Sequence, residues 1–239
     1  MNILCIGNSF SQDATHYLHQ LSRFAKTAID VTNLHIGGCS LERHFRNMCR
    51  NNKEYELDIN GTLTSFTVTL KEALLNKTWD YITLQQVSSL SVRYESYRPY
   101  LSELVKYIRS MCPKAKLVIH ETWAYEEGNS GLAANHIENS NLMYEQLHEA
   151  YLQAAKDIDA DAYIPSGTLC HILTKKGIAP IHRDGQHISL GVGRYALALL
   201  WYRILTGESV RNIEFNDFDE PVPEEYIRTV KETIEEITQ

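Results

Sequence analysis

Residues 3–13 read ILCIGNSFSQD. Ile3, Leu4, Cys5 and Ile6 form a short apolar run, the pattern of a buried strand, and the run ends in Gly7, Asn8 and Ser9. From Ser11 onward apolar residues recur at helical spacing, at Tyr17, Leu18, Leu21, Phe24 and Ala25, with Ser11 as the expected helix cap. A strand that turns sharply into a helix leaves a hydroxyl, Ser9, at the strand's carboxyl end. In open α/β sheets that end is where ligands bind.

The same alternation continues outward. DVTNLHIGG (30–38) predicts a second strand ending in two glycines, and SLERHFRNMC (40–49) a helix capped by Ser40. YELDINGTLTSFTV (55–68) carries Asn60-Gly61 between alternating segments, a hairpin signal placed as an insertion at the sheet edge. WDYITLQQ (79–86) and AKLVIHETWAY (115–125) predict further strands, with a helix at 97–111 between them that has Pro99 in its first turn. A long helix is expected over 133–157, a last short strand in ADAYIPSG (160–167), and an apolar helix over 189–207 that starts from Ser189 and stops near Gly207. The acidic stretch 214–239 reads as a lead-in and a solvated terminal helix. Strands alternating with helices predict one α/β domain over 1–239. Its architecture is a mostly parallel sheet covered on both faces.

The 239 residues are 44% apolar and 22% charged, enough for a large core. A net charge of −7 argues against nucleic acid as a partner. Cys5, Cys39, Cys49, Cys112 and Cys170 are scattered singly, with no C-x-x-C pair, and read as buried thiols in a reducing compartment. No apolar run reaches membrane-spanning length, and no P-loop pattern is present. Met1 is followed almost at once by the first strand, so a cytoplasmic location is expected, or a secreted or periplasmic one if a leader has been removed.

The chemistry gathers at the predicted strand ends. Ser9 follows the first strand and Gly37-Gly38 the second; Gln85-Gln86, then Ser88 and Ser89, follow the third. His120, Glu121 and Trp123 follow the fourth. HRDGQHIS (182–189) precedes the apolar helix and sets Asp184 and His187 three residues apart. A serine nucleophile needs a base, and the base needs a carboxylate to fix its tautomer; Ser9, His187 and Asp184 offer those roles. The developing oxyanion needs donors, for which the Ser9 and Gly38 N–H groups and a glutamine amide are candidates. His120, Glu121 and His182 lack metal-ligand spacing, and no metal or other cofactor is expected.

Taken together these blocks resemble the SGNH hydrolases, the GDSL-like esterase superfamily. Gly7-Asn8-Ser9 matches the family's G-D-S motif with Asn8 in place of Asp, Gly38 matches its second block, and Asp184-Gly185-Gln186-His187 its late D-x-x-H. The G-x-N-D block is replaced by LQQVSS. Related carbohydrate acetylesterases use a glutamine there, which points to Gln86 rather than Gln85 as the third oxyanion donor. A closer likeness is to SGNH-like sequences with GNSFS, GGCSL, LQQ and DGQH blocks. The resemblance implies a three-layer α/β/α sandwich of flavodoxin-like type with about five strands. It also implies a Ser9–His187–Asp184 triad and hydrolysis of a small ester, such as an O-acetyl group on a carbohydrate, without a membrane partner. A thioesterase or lysophospholipase, or a non-catalytic carbohydrate-binding domain, are the alternatives. His44 reads either as a substrate contact or as a solvated helix residue. Trp123, with Tyr125, reads either as a sugar-stacking wall or as core.

Overall fold

The computed structural model describes residues 1–238. The chain runs β1 (Asn2–Ile6), α1 (Ser9–Thr15), α2 (Leu18–Phe24), β2 (Asp30–His35) and α3 (Leu41–Arg50). The hairpin β3 (Tyr55–Ile59) and β4 (Thr62–Val68) follows, then α4 (Leu70–Asn76) and β5 (Tyr81–Leu84). After α5 (Tyr100–Met111) come β6 (Lys116–Glu121), the short α6 (Ser130–Ala134) and the long α7 (Ser140–Asp157). β7 (Ala162–Pro165) leads directly into α8 (Ser166–Lys175), and α9 (Val192–Thr206) and α10 (Glu224–Ile237) complete the described chain.

All seven strands form one sheet in the order β4-β3-β2-β1-β5-β6-β7. β2, β1, β5, β6 and β7 are parallel, and β3 and β4 are the antiparallel hairpin added at one edge. The expected count of about five strands thus holds for the parallel part, and the hairpin brings the sheet to seven. β1 sits at the centre, with Cys5 paired to Asn33 of β2 on one side and to Thr83 of β5 on the other. The chain moves to β2 from β1 in one direction and outward from β5 in the other. The order reverses between β1 and β5, which opens a crevice at their carboxyl ends. Ile3 to Ile6 are fully buried, as a strand with helices on both faces requires.

α3, α4 and α5 pack together in one helical layer, and α1, α2, α9 and α10 in the other. α9 is apolar nearly all round and lies deep in its layer, with Tyr195 through Leu200 and Trp201 inaccessible. No helix among the described residues is long and apolar enough to cross a membrane.

Three expectations change. The helix expected over 133–157 is two helices: His136 takes a left-handed φ of 59°, and Asn139 starts α7 by accepting from the Leu142 N–H. α4 and α8 were not expected, although Thr69 and Glu72 form a reciprocal capping box that is visible in the sequence. Of the five free thiols only Cys5, Cys39 and Cys170 are buried; Cys49 is exposed and Cys112 half-buried.

α7 and α8 are seated on β6 through Glu121, which is inaccessible. Its carboxylate accepts from the Tyr163 hydroxyl, from His148 Nδ1 at 2.7 Å and from the Thr168 N–H at 2.5 Å. The hydrogen bond to Glu121 raises the pKa of His148 above the ordinary 6.5, against the opposing effect of burial. A raised folded-state value means that the pair's contribution is full below 6.5 and is lost as pH rises through the higher folded value. The gap in unfolding free energy between wild type and His148→Gln is therefore expected to be wider at about pH 6 than at about pH 9. Denaturant titrations at both pH values check this, and an equal gap contradicts it.

Candidate active site

The turn after β1 is built on Asn8, which is 1% exposed. Its Oδ1 accepts from the Phe10 N–H at 3.0 Å, which makes Asn8 the cap of α1. The expected cap, Ser11, instead lies inside the helix and donates its hydroxyl to the Asn8 carbonyl at 3.0 Å. α1 therefore begins at Ser9 itself, and the Ser9 hydroxyl stays out of capping. Asn8 Nδ2 donates to the Cys39 carbonyl at 3.0 Å. A carboxylate cannot donate, so this contact explains an amide at the position.

Ser9 Oγ lies 3.0 Å from His187 Nε2. On the other side of the ring, Nδ1 lies 2.7 Å from Asp184 Oδ2. Nδ1 must donate to that carboxylate, so Nε2 is left to accept the Ser9 proton. Asp184 Oδ1 also accepts the backbone N–H groups of His187 at 2.6 Å and Gln186 at 3.0 Å. Burial pushes the Asp184 carboxyl upward, but these N–H groups and the imidazole outweigh it and hold it at about 2. Asp184 is thus an anion throughout the neutral range. Phe10 supports the imidazole from below, with ring centres 5.8 Å apart, and itself stacks on Trp123 at 4.3 Å.

Ser9 and His187 face a cleft of about 280 Å³ whose walls include Gly38, Val87, Ser88 and Gln186. Gly38 has φ of 60°, a left-handed conformation that suits glycine, and no atom lies within 4 Å of the place where a Cβ would stand. Among the described residues neither the Ser9 N–H nor the Gly38 N–H has a hydrogen-bond partner.

A family model described as a domain of unknown function, DUF4886, matches residues 2–225. The chain belongs to the DUF4886 family. A DUF4886 protein from Bacteroides uniformis ATCC 8492 of solved structure is 34% identical, with a TM-score of 0.88 over 99% of this chain and 93% of that one. A protein from Slackia heliotrinireducens described as "a putative SGNH hydrolase" is 25% identical, with a TM-score of 0.62 over 86% of this chain and 98% of that one. TesA is 13% identical with a TM-score of 0.55, covering 87% of this chain and 99% of its own, a likeness of fold alone. No curated protein sequence matches the chain. The DUF4886 domain thus carries the SGNH-hydrolase fold that the sequence blocks resemble.

The two glutamines of the DUF4886 domain do not reach the cleft as expected. β5 ends at Leu84, so both lie in the turn beyond it. Gln86 is inaccessible. Its Nε2 donates to the Ser96 carbonyl and hydroxyl at 3.0 and 3.1 Å. Its Oε1 accepts from the Leu41 and Val87 N–H groups at 3.0 and 2.9 Å. With both amide ends committed, Gln86 has no donor left for an oxyanion. Gln85 turns the other way, donating to Asn8 Oδ1 at 2.8 Å and meeting His120 Nδ1 with its Oε1 at 2.9 Å.

Two further substrate contacts give way to core roles. His44 is inaccessible, stacks on Tyr55 with 3° between the ring planes, and lies 3.1 Å from the Tyr55 hydroxyl. Burial pushes its pKa down to about 3. Trp123 is also inaccessible, and its Nε1 donates to the Gln186 carbonyl at 2.9 Å, so it braces the His187 loop from inside. Among the described residues no group of three or more His, Cys, Asp and Glu is arranged to hold a metal ion.

Sequence reasoning missed the clamp on that loop. Asp13 lies one helical turn after Ser9 on α1 and is 2% exposed. Its two oxygens lie 3.0 and 2.9 Å from Arg183 NH1, and Oδ1 also accepts from Arg194 Nε at 3.0 Å and NH2 at 2.9 Å. Arg183 adjoins Asp184, and its N–H donates to the His187 carbonyl at 2.9 Å. The helix that carries Ser9 is thus tied to the loop that carries His187. The only local hint was the spacing of Ser9 and Asp13, which puts both on one helix face.

Two outcomes follow from these contacts. Gln86→Ala leaves the Leu41 and Val87 N–H groups without their partner and is expected to cost roughly 2–5 kcal/mol of stability. The function of the folded molecules should persist, and thermal melts with activity normalised to folded protein check this. Asp13→Asn is expected to speed amide exchange at 183–188 selectively, read by hydrogen exchange with mass spectrometry. Unchanged exchange there contradicts the clamp.

Proposed function

We propose that this protein is a serine esterase that hydrolyses small esters through an acyl-enzyme, with O-acetyl groups on carbohydrates as the substrate class. The observation that carries the reading is the continuous chain from Ser9 Oγ through His187 to Asp184, at 3.0 and 2.7 Å, beside two unpaired N–H groups. The similarity, at 25% identity, to a protein described as "a putative SGNH hydrolase" supports a hydrolase.

In this mechanism His187 Nε2 takes the Ser9 proton as Oγ attacks the acyl carbonyl. The carbonyl oxygen becomes an oxyanion held by the N–H groups of Ser9 and Gly38. His187 then passes the proton to the departing alcohol as the acyl bond to it breaks. A water molecule, deprotonated by the same nitrogen, attacks the acyl-Ser9 ester; as the acyl–Oγ bond breaks, His187 returns that proton to Ser9 Oγ and the acid is released. Asp184 stays ionised and stabilises the imidazolium at each step. No step calls for a metal or an organic cofactor.

The cleft of about 280 Å³ favours a short acyl group over the long chain of a lysophospholipid or fatty acyl thioester. Gly37 and Gly38 are exposed, so the rim leaves room for a bulky alcohol such as a sugar. A non-catalytic carbohydrate-binding domain would have no use for a serine hydroxyl held on a histidine of fixed tautomer.

A fluorophosphonate probe is expected to label Ser9, as mapped by peptide mass spectrometry, and Ser9→Ala to abolish turnover of a short acyl ester. Asp184→Asn is expected to cut kcat by about 10⁴, since the imidazole loses the partner that fixes its tautomer. Labelling of another serine, or full turnover in Ser9→Ala, contradicts the mechanism.

A further inference from the structure

With Gln86 turned away, the residue after β5 that offers the cleft a polar side chain is Ser88. It is 1% exposed, and its Oγ lies 2.9 Å from the Tyr125 hydroxyl. Gln186 Nε2 approaches the same oxygen at 3.5 Å, as a second donor.

Counting protons decides which way this pair runs. Each hydroxyl has one proton, and the bond between them uses only one. Tyr125 is 4% exposed, and among the described residues its hydroxyl meets no group but Ser88. If Ser88 donated to Tyr125, the tyrosine proton would be stranded in the core, at the cost of an unmet buried donor. If Tyr125 donates to Ser88, the proton left over is that of Ser88, which lines the cleft, as Tyr125 does not. Burial raises the pKa of Tyr125, so that it keeps its proton and continues to donate. The proton left over belongs to a residue on the wall of the cleft that holds Ser9, Gly38 and His187. It is a donor with no acceptor inside the protein. The chemistry expected in the cleft supplies one: a carbonyl oxygen that gains charge.

We propose that Ser88, held by Tyr125, donates the third hydrogen bond to the acyl oxygen, in the place first assigned to Gln86. The proposal rests on the esterase reading. As Ser9 attacks and the carbonyl oxygen becomes an oxyanion, it accepts from the Ser9 N–H, the Gly38 N–H and the Ser88 O–H. No proton leaves Ser88, because the bond stabilises charge and transfers nothing. Accepting from Tyr125 polarises the Ser88 O–H and strengthens its donation.

The test compares wild type with Ser88→Ala and Tyr125→Phe on a short acyl ester, beside inhibition by a trifluoromethyl ketone whose adduct with Ser9 carries an oxyanion. Ser88→Ala is expected to lower kcat by about 10²-fold with KM little changed. Its affinity for the ketone should weaken by the same factor as kcat/KM. Tyr125→Phe should fall between wild type and Ser88→Ala, since the Ser88 proton is then free to turn. If Ser88→Ala does not fold, Ser88→Cys keeps the volume with a weaker donor, and the same parallel loss of kcat and ketone affinity is expected. An active wild type whose Ser88 variants keep kcat, or lose kcat without losing ketone affinity, overturns the Ser88 role alone. A wild type that neither turns over the ester nor takes a fluorophosphonate at Ser9 overturns the esterase reading and this proposal with it.

Discussion

One amide holds the candidate site together. Asn8 accepts from Phe10 and Gln85 and donates to Cys39, so three loops that leave β1, β5 and β2 meet on a single side chain. The line continues outward. Gln85 meets His120 at the end of β6, and His120 Nε2 lies 3.1 Å from the hydroxyl of Ser166, where α8 begins. The roles along it are forced. Asn8 Oδ1 already accepts from a backbone N–H, so Gln85 must present its NH₂ to Asn8 and its oxygen to His120. His120 therefore donates from Nδ1 and accepts at Nε2. Such fully satisfied buried networks fix a single arrangement of loops, because any slip leaves polar groups unpaired.

A second tie is of opposite character. Asp13 and its two arginines are charged and join α1 to the His187 loop from the outer side. Burying a carboxylate is costly, and the two guanidinium groups offset that cost without making the cluster a large net source of stability. Its value is geometric. Four contacts from two guanidinium groups converge on the one carboxylate and tolerate little displacement, and the distance from Ser9 to His187 spans the two elements they join.

Much of this was legible in the sequence where the signal is local. The apolar runs, the Asn60-Gly61 turn and the glycine-rich ends of the first two strands lie within a few residues of the structures they cause. Asp184 and His187 are three apart on one loop, so their pairing needs no knowledge of the rest of the fold. The glutamines failed for a physical reason. The rule that neighbours face opposite ways applies inside a strand, and β5 has already ended at Leu84. His44 failed because its helix was read by composition; Leu41, His44 and Asn47 are the buried residues of α3, at a spacing of three. The contact between Asp13 and Arg183 joins positions 170 apart, and beyond the shared helix face of Ser9 and Asp13 neither neighbourhood foretells it. Trp123 was open between wall and core, and the carbonyl of Gln186 settled it by taking the indole N–H.

The neutrality of the floor beneath Ser9 has a consequence of its own. His44 and His120, two histidines buried there, are both pushed down to about 3 by burial; His44 meets the Tyr55 hydroxyl and the Cys39 thiol, and His120 the Gln85 amide and the Ser166 hydroxyl. Across the neutral range the floor neither gains nor loses charge, and it behaves as an electrical insulator under the nucleophile. Substitutions at the solvent-facing rim can therefore change the polarity of the cleft while the platform beneath keeps one unchanging field.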